Sequence, residues 1–109
     1  MAEVDGARCV VLAERNGMVV AAQARAGAPA PELIAASMAD LFRKVGAAFR
    51  EEGLGAAAEF AVGGGDGHVM LREVTPGYLL AASLAVGGSV GRARFELRRA
   101  AFELAPDLV

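Results

Sequence analysis

The chain has 109 residues, enough for one domain and too few for two. Hydrophobic residues make up 55% of it and charged residues 22%, which excludes intrinsic disorder. The net charge of −2 argues against a nucleic-acid binder, whose phosphate contacts call for a basic surface. Cys9 is the only cysteine, so neither an intrachain disulfide nor a thiolate zinc cluster can form. No stretch approaches the roughly 20 apolar residues of a membrane span. Residues Met1 to Arg8 are acidic and lack the order of a signal peptide, so the expected location is cytoplasmic. The apolar content is rich for a monomer of this size, which leaves surface for a second subunit or a partner to cover.

Two short β-rich runs open the chain, Ala7 to Ala13 and Met18 to Ala24, joined by Glu14-Arg15-Asn16-Gly17. Asn-Gly predicts a hairpin with a type I′ turn, which needs positive φ at both central residues. The first run does not alternate, as expected of a central strand covered on two sides. Pro31 suits the first position of a long helix that runs to about Glu52. Ile34, Met38, Leu41, Val45 and Phe49 form its apolar stripe, widened by Phe42. The other face carries Ala36, Ala39, Arg43, Ala47 and Arg50. Gly46 costs about 1 kcal/mol against alanine in mid-helix.

A short strand over about residues 57–62 follows, with Phe60 and Val62 on one side and Glu59 on the other, as suits a sheet edge. Gly63 to Gly67 make a turn, His68 to Val74 a fourth strand, and Tyr78 to Val86 a fifth that is apolar on both faces. Ser89 is the expected N-cap of a closing helix that runs to about Leu104. Val90, Ala93, Leu97, Ala100 and Leu104 form its main stripe, and Phe95 and Phe102 a second one. The element order is therefore ββαβββα, and Val11, Leu12, Leu41, Val45, Leu80 and Leu97 are the expected core.

No catalytic constellation emerges. The glycine-rich stretches lack the Gly-Lys-Ser/Thr ending of a phosphate loop. His68 is the only histidine and stands at a strand start after a turn, where it reads as exposed and inert. Cys9 lies in an apolar strand, where a thiol is a small hydrophobe. No serine has a histidine neighbour in a motif. No metal or cofactor is expected. The arginines of the last helix, Arg92, Arg94, Arg98 and Arg99, are dispersed by helical geometry, and Glu96 and Glu103 pair with two of them. Arg43 and Arg50 stand seven residues apart among alanines. Either a solvated face or a docking surface accounts for them, since small residues allow close approach and arginine is favoured at interfaces.

The segment Val4-Asp5-Gly6-Ala7-Arg8-Cys9-Val10-Val11-Leu12-Ala13-Glu14-Arg15-Asn16-Gly17-Met18-Val19-Val20-Ala21 resembles the opening hairpin of the Roadblock family. That family holds dynein light-chain and small-GTPase-regulator domains and is related to longins. Tyr78-Leu79-Leu80-Ala81-Ala82 resembles its penultimate core strand, and Gly91 to Ala101 its closing helix. The resemblance implies an α+β fold over residues 1–109, a five-stranded antiparallel sheet with helices on both faces. It implies a homodimer in which the third strand and the long helix meet their symmetry mates. Phe60, Val62, Ala36, Ala39 and Ala47 are the interface residues expected on that basis, and Arg43 and Arg50 the partner-binding ones. Bacterial members commonly act with Ras-like GTPases of the gliding-motility type. Family members usually begin with a helix before the first strand, and the few residues before Arg8 are too short for it.

The reading is a non-enzymatic homodimeric adaptor for a small Ras-like GTPase. The alternative is a longin- or profilin-like sensor that holds a small ligand on the sheet face.

Overall fold

The computed structural model describes Val4 and residues 6–108. Of the residues before β1, where the resemblance places a further helix, only Val4 and Gly6 are among the described residues. The elements follow the expected order: β1 Ala7–Glu14, β2 Val19–Ala24, α1 Pro31–Glu51, β3 Glu59–Gly64, β4 Gly67–Thr75, β5 Tyr78–Ala85 and α2 Val90–Leu104, then a 3-10 turn at Ala105–Asp107. All strand pairs are antiparallel and the sheet order is β2-β1-β5-β4-β3. β1 and β5 are interior strands, as their unbroken apolar runs require. β3 is an edge.

Successive side chains of a strand point to opposite faces, so the interior strands feed two cores. Cys9, Val11, Leu71, Leu79 and Ala81 pack under α1. Val10, Leu12, Met70, Leu80 and Leu84 pack under α2. Of the expected core residues, Val11, Leu12, Leu80 and Leu97 are buried. Leu41 and Val45 are only half-buried. The buried seam of α1 is Ile34, Ala35, Ala39, Phe42 and Gly46, with Met38, Val45 and Phe49 against its side. The helix is thus rolled towards its small residues.

The first hairpin explains the roll. Its turn is not type I′, because among the described residues only glycines adopt positive φ and Asn16 does not. The Gly17 N–H donates to the Glu14 carbonyl at 2.8 Å, and the Glu14 N–H to the Met18 carbonyl at 2.8 Å. Asn16 Oδ1 accepts from the Met18 N–H at 3.0 Å. The result has the form of a three-residue loop closed by a left-handed glycine, with φ of 94° at Gly17. A Cβ on Gly17 would stand 3.1 Å from the Ala36 Cα and 3.6 Å from the Ala39 Cβ. Hairpin tip and helix backbone touch, and only small residues allow it.

Edge strand β3 is tied to α2 by charge. The Glu59 carboxylate takes Arg72 from β4 and Arg94 and Arg98 from α2, the last at 3.2 Å. Burial pushes this carboxyl up, but hydrogen bonds and charge from Arg94 and Arg98 outweigh it and hold it below its ordinary value. Two of the four α2 arginines that helical geometry disperses, Arg94 and Arg98, therefore reach back to the sheet. The expected pairs Arg92–Glu96, at 3.0 Å, and Arg99–Glu103, at 4.0 Å, are present. Ser89 caps the helix, its Oγ accepting from the Arg92 N–H at 3.2 Å.

Leu80 is 0% exposed, so Leu80→Ala is expected to cost about 2–5 kcal/mol in denaturant unfolding, from lost transfer energy and the cavity left behind. A loss below about 1 kcal/mol would place Leu80 outside the core. Glu59 has a lowered folded-state pKa, so its contribution is present above the unfolded value of 4.5 and is lost as pH falls through the folded value. The stability gap between wild type and Glu59→Gln should be constant above about pH 5.5 and shrink steadily below 4.5. A gap that does not change with pH would mean that the ionised carboxylate is not what holds β3.

Candidate partner-binding surface

α1 presents two flanks. On one, Arg15 and Asn16 of the hairpin tip face Ala39, Phe42 and Arg43 across an open cleft of about 330 Å³. The Arg15 guanidinium lies 5.4 Å from the centre of the Phe42 ring, within cation–π range. Arg15 also pairs with Glu73 at 2.7 Å and donates to the Pro76 carbonyl at 3.2 Å. Its own N–H donates to the Gly77 carbonyl at 2.9 Å. The hairpin tip is thereby pinned to the β4–β5 turn, with the Arg15 side chain about half exposed.

Arg43 is highly exposed and pairs with Asp40, one turn back on the helix. Lys44 bonds the same carboxylate at 2.9 Å. The hydrogen bond and charge of Lys44, followed by those of Arg43, hold the Asp40 carboxyl below its ordinary value. Two cations share one anion, so the flank stays positive. Arg50 lies exposed in the last turn, where a cation suits the helix dipole. Its guanidinium is 3.9 Å from where a Cβ on Gly46 would stand. Arg43 and Arg50 therefore occupy a flank beside the buried seam rather than the face opposite it.

On the other flank, Met38 shares a cleft of about 300 Å³ with Val62, Val69 and Ser83. Phe60 packs edge-on against Phe42, with centroids 6.2 Å apart. Val62 is 45% exposed on the free edge of β3. Of the residues expected at a dimer contact, Phe60 and Val62 thus lie at the β3 edge. Ala36 and Ala47 are exposed on α1, Ala36 beside the hairpin tip. Ala39 is a correction: it is 6% exposed, buried against its own sheet and hairpin, so it offers no surface to a second chain.

Arg15 was not singled out by the sequence. The available signal was a cation directly before Asn-Gly in a hairpin whose register puts it beside the β4–β5 turn. His68 also differs from expectation: it is half-buried, and its Nδ1 is buried without a hydrogen-bond partner. Burial, and secondarily the Glu32 charge, pushes the Cys9 thiol above its ordinary value, as befits a small hydrophobe. Among the described residues no helix is long and apolar enough to cross a membrane.

No family model and no curated protein matches the chain. Solved structures do. A Roadblock/LC7 domain from Streptomyces avermitilis superposes with a TM-score of 0.86 at 17% identity, covering 97% of this chain and 88% of that one. The gliding protein MglB from Thermus thermophilus gives 0.83 at 23% identity, covering 93% and 77%. Profilin II from Acanthamoeba castellanii gives 0.65 at 17% identity, covering 94% and 87%. Identities this low carry fold and no more, and the fold they establish, from the ββαβββα order and the open five-stranded sheet, is that of the Roadblock/LC7 domains.

Proposed function

We propose that the chain is a non-enzymatic homodimeric adaptor that binds a small Ras-like GTPase through the basic flank of α1. The observation that carries this reading is the cleft at Phe42, where Arg15 of the hairpin lies over the aromatic ring and Arg43 of α1 lines the same cleft. Arginine and aromatic groups with a concave apolar floor are the usual anchors of a protein interface. Arginine also pairs bidentately with carboxylates, which suits an acidic, partly apolar patch on a GTPase. The shared fold with MglB, and the GTPase partnership that the Roadblock resemblance implies, support the same class of partner.

The free edge of β3 supports the dimer. An unpaired edge carrying Phe60 and half-exposed Val62 is a liability that pairing with a second copy removes. A twofold contact pairs the edge with itself. Ala36 and Ala47 remain as small residues on α1 for the same or a neighbouring contact.

Light scattering at high micromolar concentration should return twice the 11.1 kDa chain mass. Val62→Lys should shift it to the monomer, because a charge on the edge blocks strand pairing. A wild-type monomer would end the dimer. Arg43→Glu with Arg50→Glu should abolish capture of Ras-like GTPases loaded with a GTP analogue. Dimerisation should be unchanged, and the loss in stability should stay within about 0.5 kcal/mol, since exposed pairs contribute little. Capture by the double variant at wild-type affinity would move the binding surface elsewhere.

A further inference from the structure

α2 and the β3–β4 pair leave a cavity of about 240 Å³ between them, on the sheet face away from α1. Its apolar wall includes Met70, Leu97 and Val90, and its rim includes Glu59, Arg72 and Arg94. Arg98, one turn after Arg94, reaches the same Glu59 carboxylate. Three guanidinium groups therefore share a single carboxylate. No other carboxylate among the described residues bonds Arg94 or Arg98. Their side chains are 59% and 55% exposed, Arg94 lining the cavity and Arg98 standing one turn further along α2.

This is a small apolar hollow under unbalanced positive charge. Ligand sites combine an apolar lining with a few convergent polar groups. Here the guanidinium groups outnumber the one carboxylate and offer only donors, which suits an anion. The volume is below the roughly 300–1,000 Å³ of drug-sized sites, which limits the occupant to a short molecule. An inorganic anion would leave the apolar wall unused, and a neutral apolar molecule would leave the guanidinium groups unanswered.

We propose that this seam binds a small organic anion, a carboxylate on a short apolar tail. The carboxylate takes Arg94 and Arg98, and the tail lies against Met70, Leu97 and Val90. Glu59 keeps Arg72, its partner on the neighbouring strand, so β3 stays anchored while the α2 arginines turn to the ligand. The site does not depend on the α1 surface, which lies across the sheet, and either can fail without the other.

The test is an NMR titration of the full chain with 4-phenylbutyrate, with 4-phenylbutanol and acetate as controls. Saturable shifts are expected at the Met70 methyl, Val90 and the Arg94 and Arg98 side chains. The acid should bind at least tenfold more tightly than the alcohol at low salt, and the gap should narrow as salt is added. Arg94→Gln with Arg98→Gln should weaken the acid at least tenfold. Val90→Phe fills the cavity from the first turn of α2 and should abolish binding with both arginines in place. It decides the matter alone if the double variant does not fold. Equal binding of acid and alcohol, shifts confined to the Met38 cleft, or wild-type binding by Val90→Phe would overturn the proposal.

Discussion

Two of the three interior strands, β1 and β5, lie at the centre of the sheet with a helix over each face, and the rest of the molecule is arranged around that burial. A strand in this position can carry almost no polar side chain, because each would need a partner where none is available. Val10 to Ala13 and Leu79 to Ala82 meet the requirement on both faces at once. The consequence for function is direct. Charged groups and clefts therefore lie away from that centre, at the β3 edge, on the flanks of α1 and in the seam under α2.

The close approach of the first hairpin to α1 sets which flank is which. Gly17 supplies both a left-handed backbone and the absence of a Cβ, and Ala36 and Ala39 supply room. The helix therefore buries its small residues and leaves Met38, Leu41 and Val45 only partly covered. Small residues on a helix read equally well as a surface for a second chain or as room for a neighbouring segment of the same chain. Here part of the set serves the second purpose. The same contact brings Arg15 over Phe42 and beside Arg43, joining two elements far apart in sequence into one basic cleft.

Charge plays two different parts. Around Asp40 the pairs are exposed and local to one helix, which gives them little worth for stability and leaves them free to exchange for a partner's carboxylate. Around Glu59 the carboxylate is mostly covered and links an edge strand, its neighbour and a helix. Removing that carboxylate leaves three cations facing one another. Removing either exposed arginine of α2 leaves it paired. The asymmetry is why Glu59 anchors the edge and the α2 arginines can do something further.

The sequence by itself determined the elements, their order and two of the three interior strands. Those properties are written in periodicity, in uninterrupted apolar runs at Cys9 to Ala13 and Tyr78 to Ala82, and in Pro31 and Ser89 as helix starts. All of them act over a few residues. It also carried enough of the pattern to name the Roadblock fold. The tertiary structure alone decided the roll of α1, the burial of Ala39, the turn type at Asn16-Gly17, and the convergence of Arg94 and Arg98 on Glu59. Each of these depends on what stands opposite a residue: a glycine tip whose added Cβ would stand 3.1 Å from a helix backbone, or a carboxylate 39 positions away in the chain. Local pattern is blind to such pairs, because a helix face is apolar, small or basic in the same way whatever meets it.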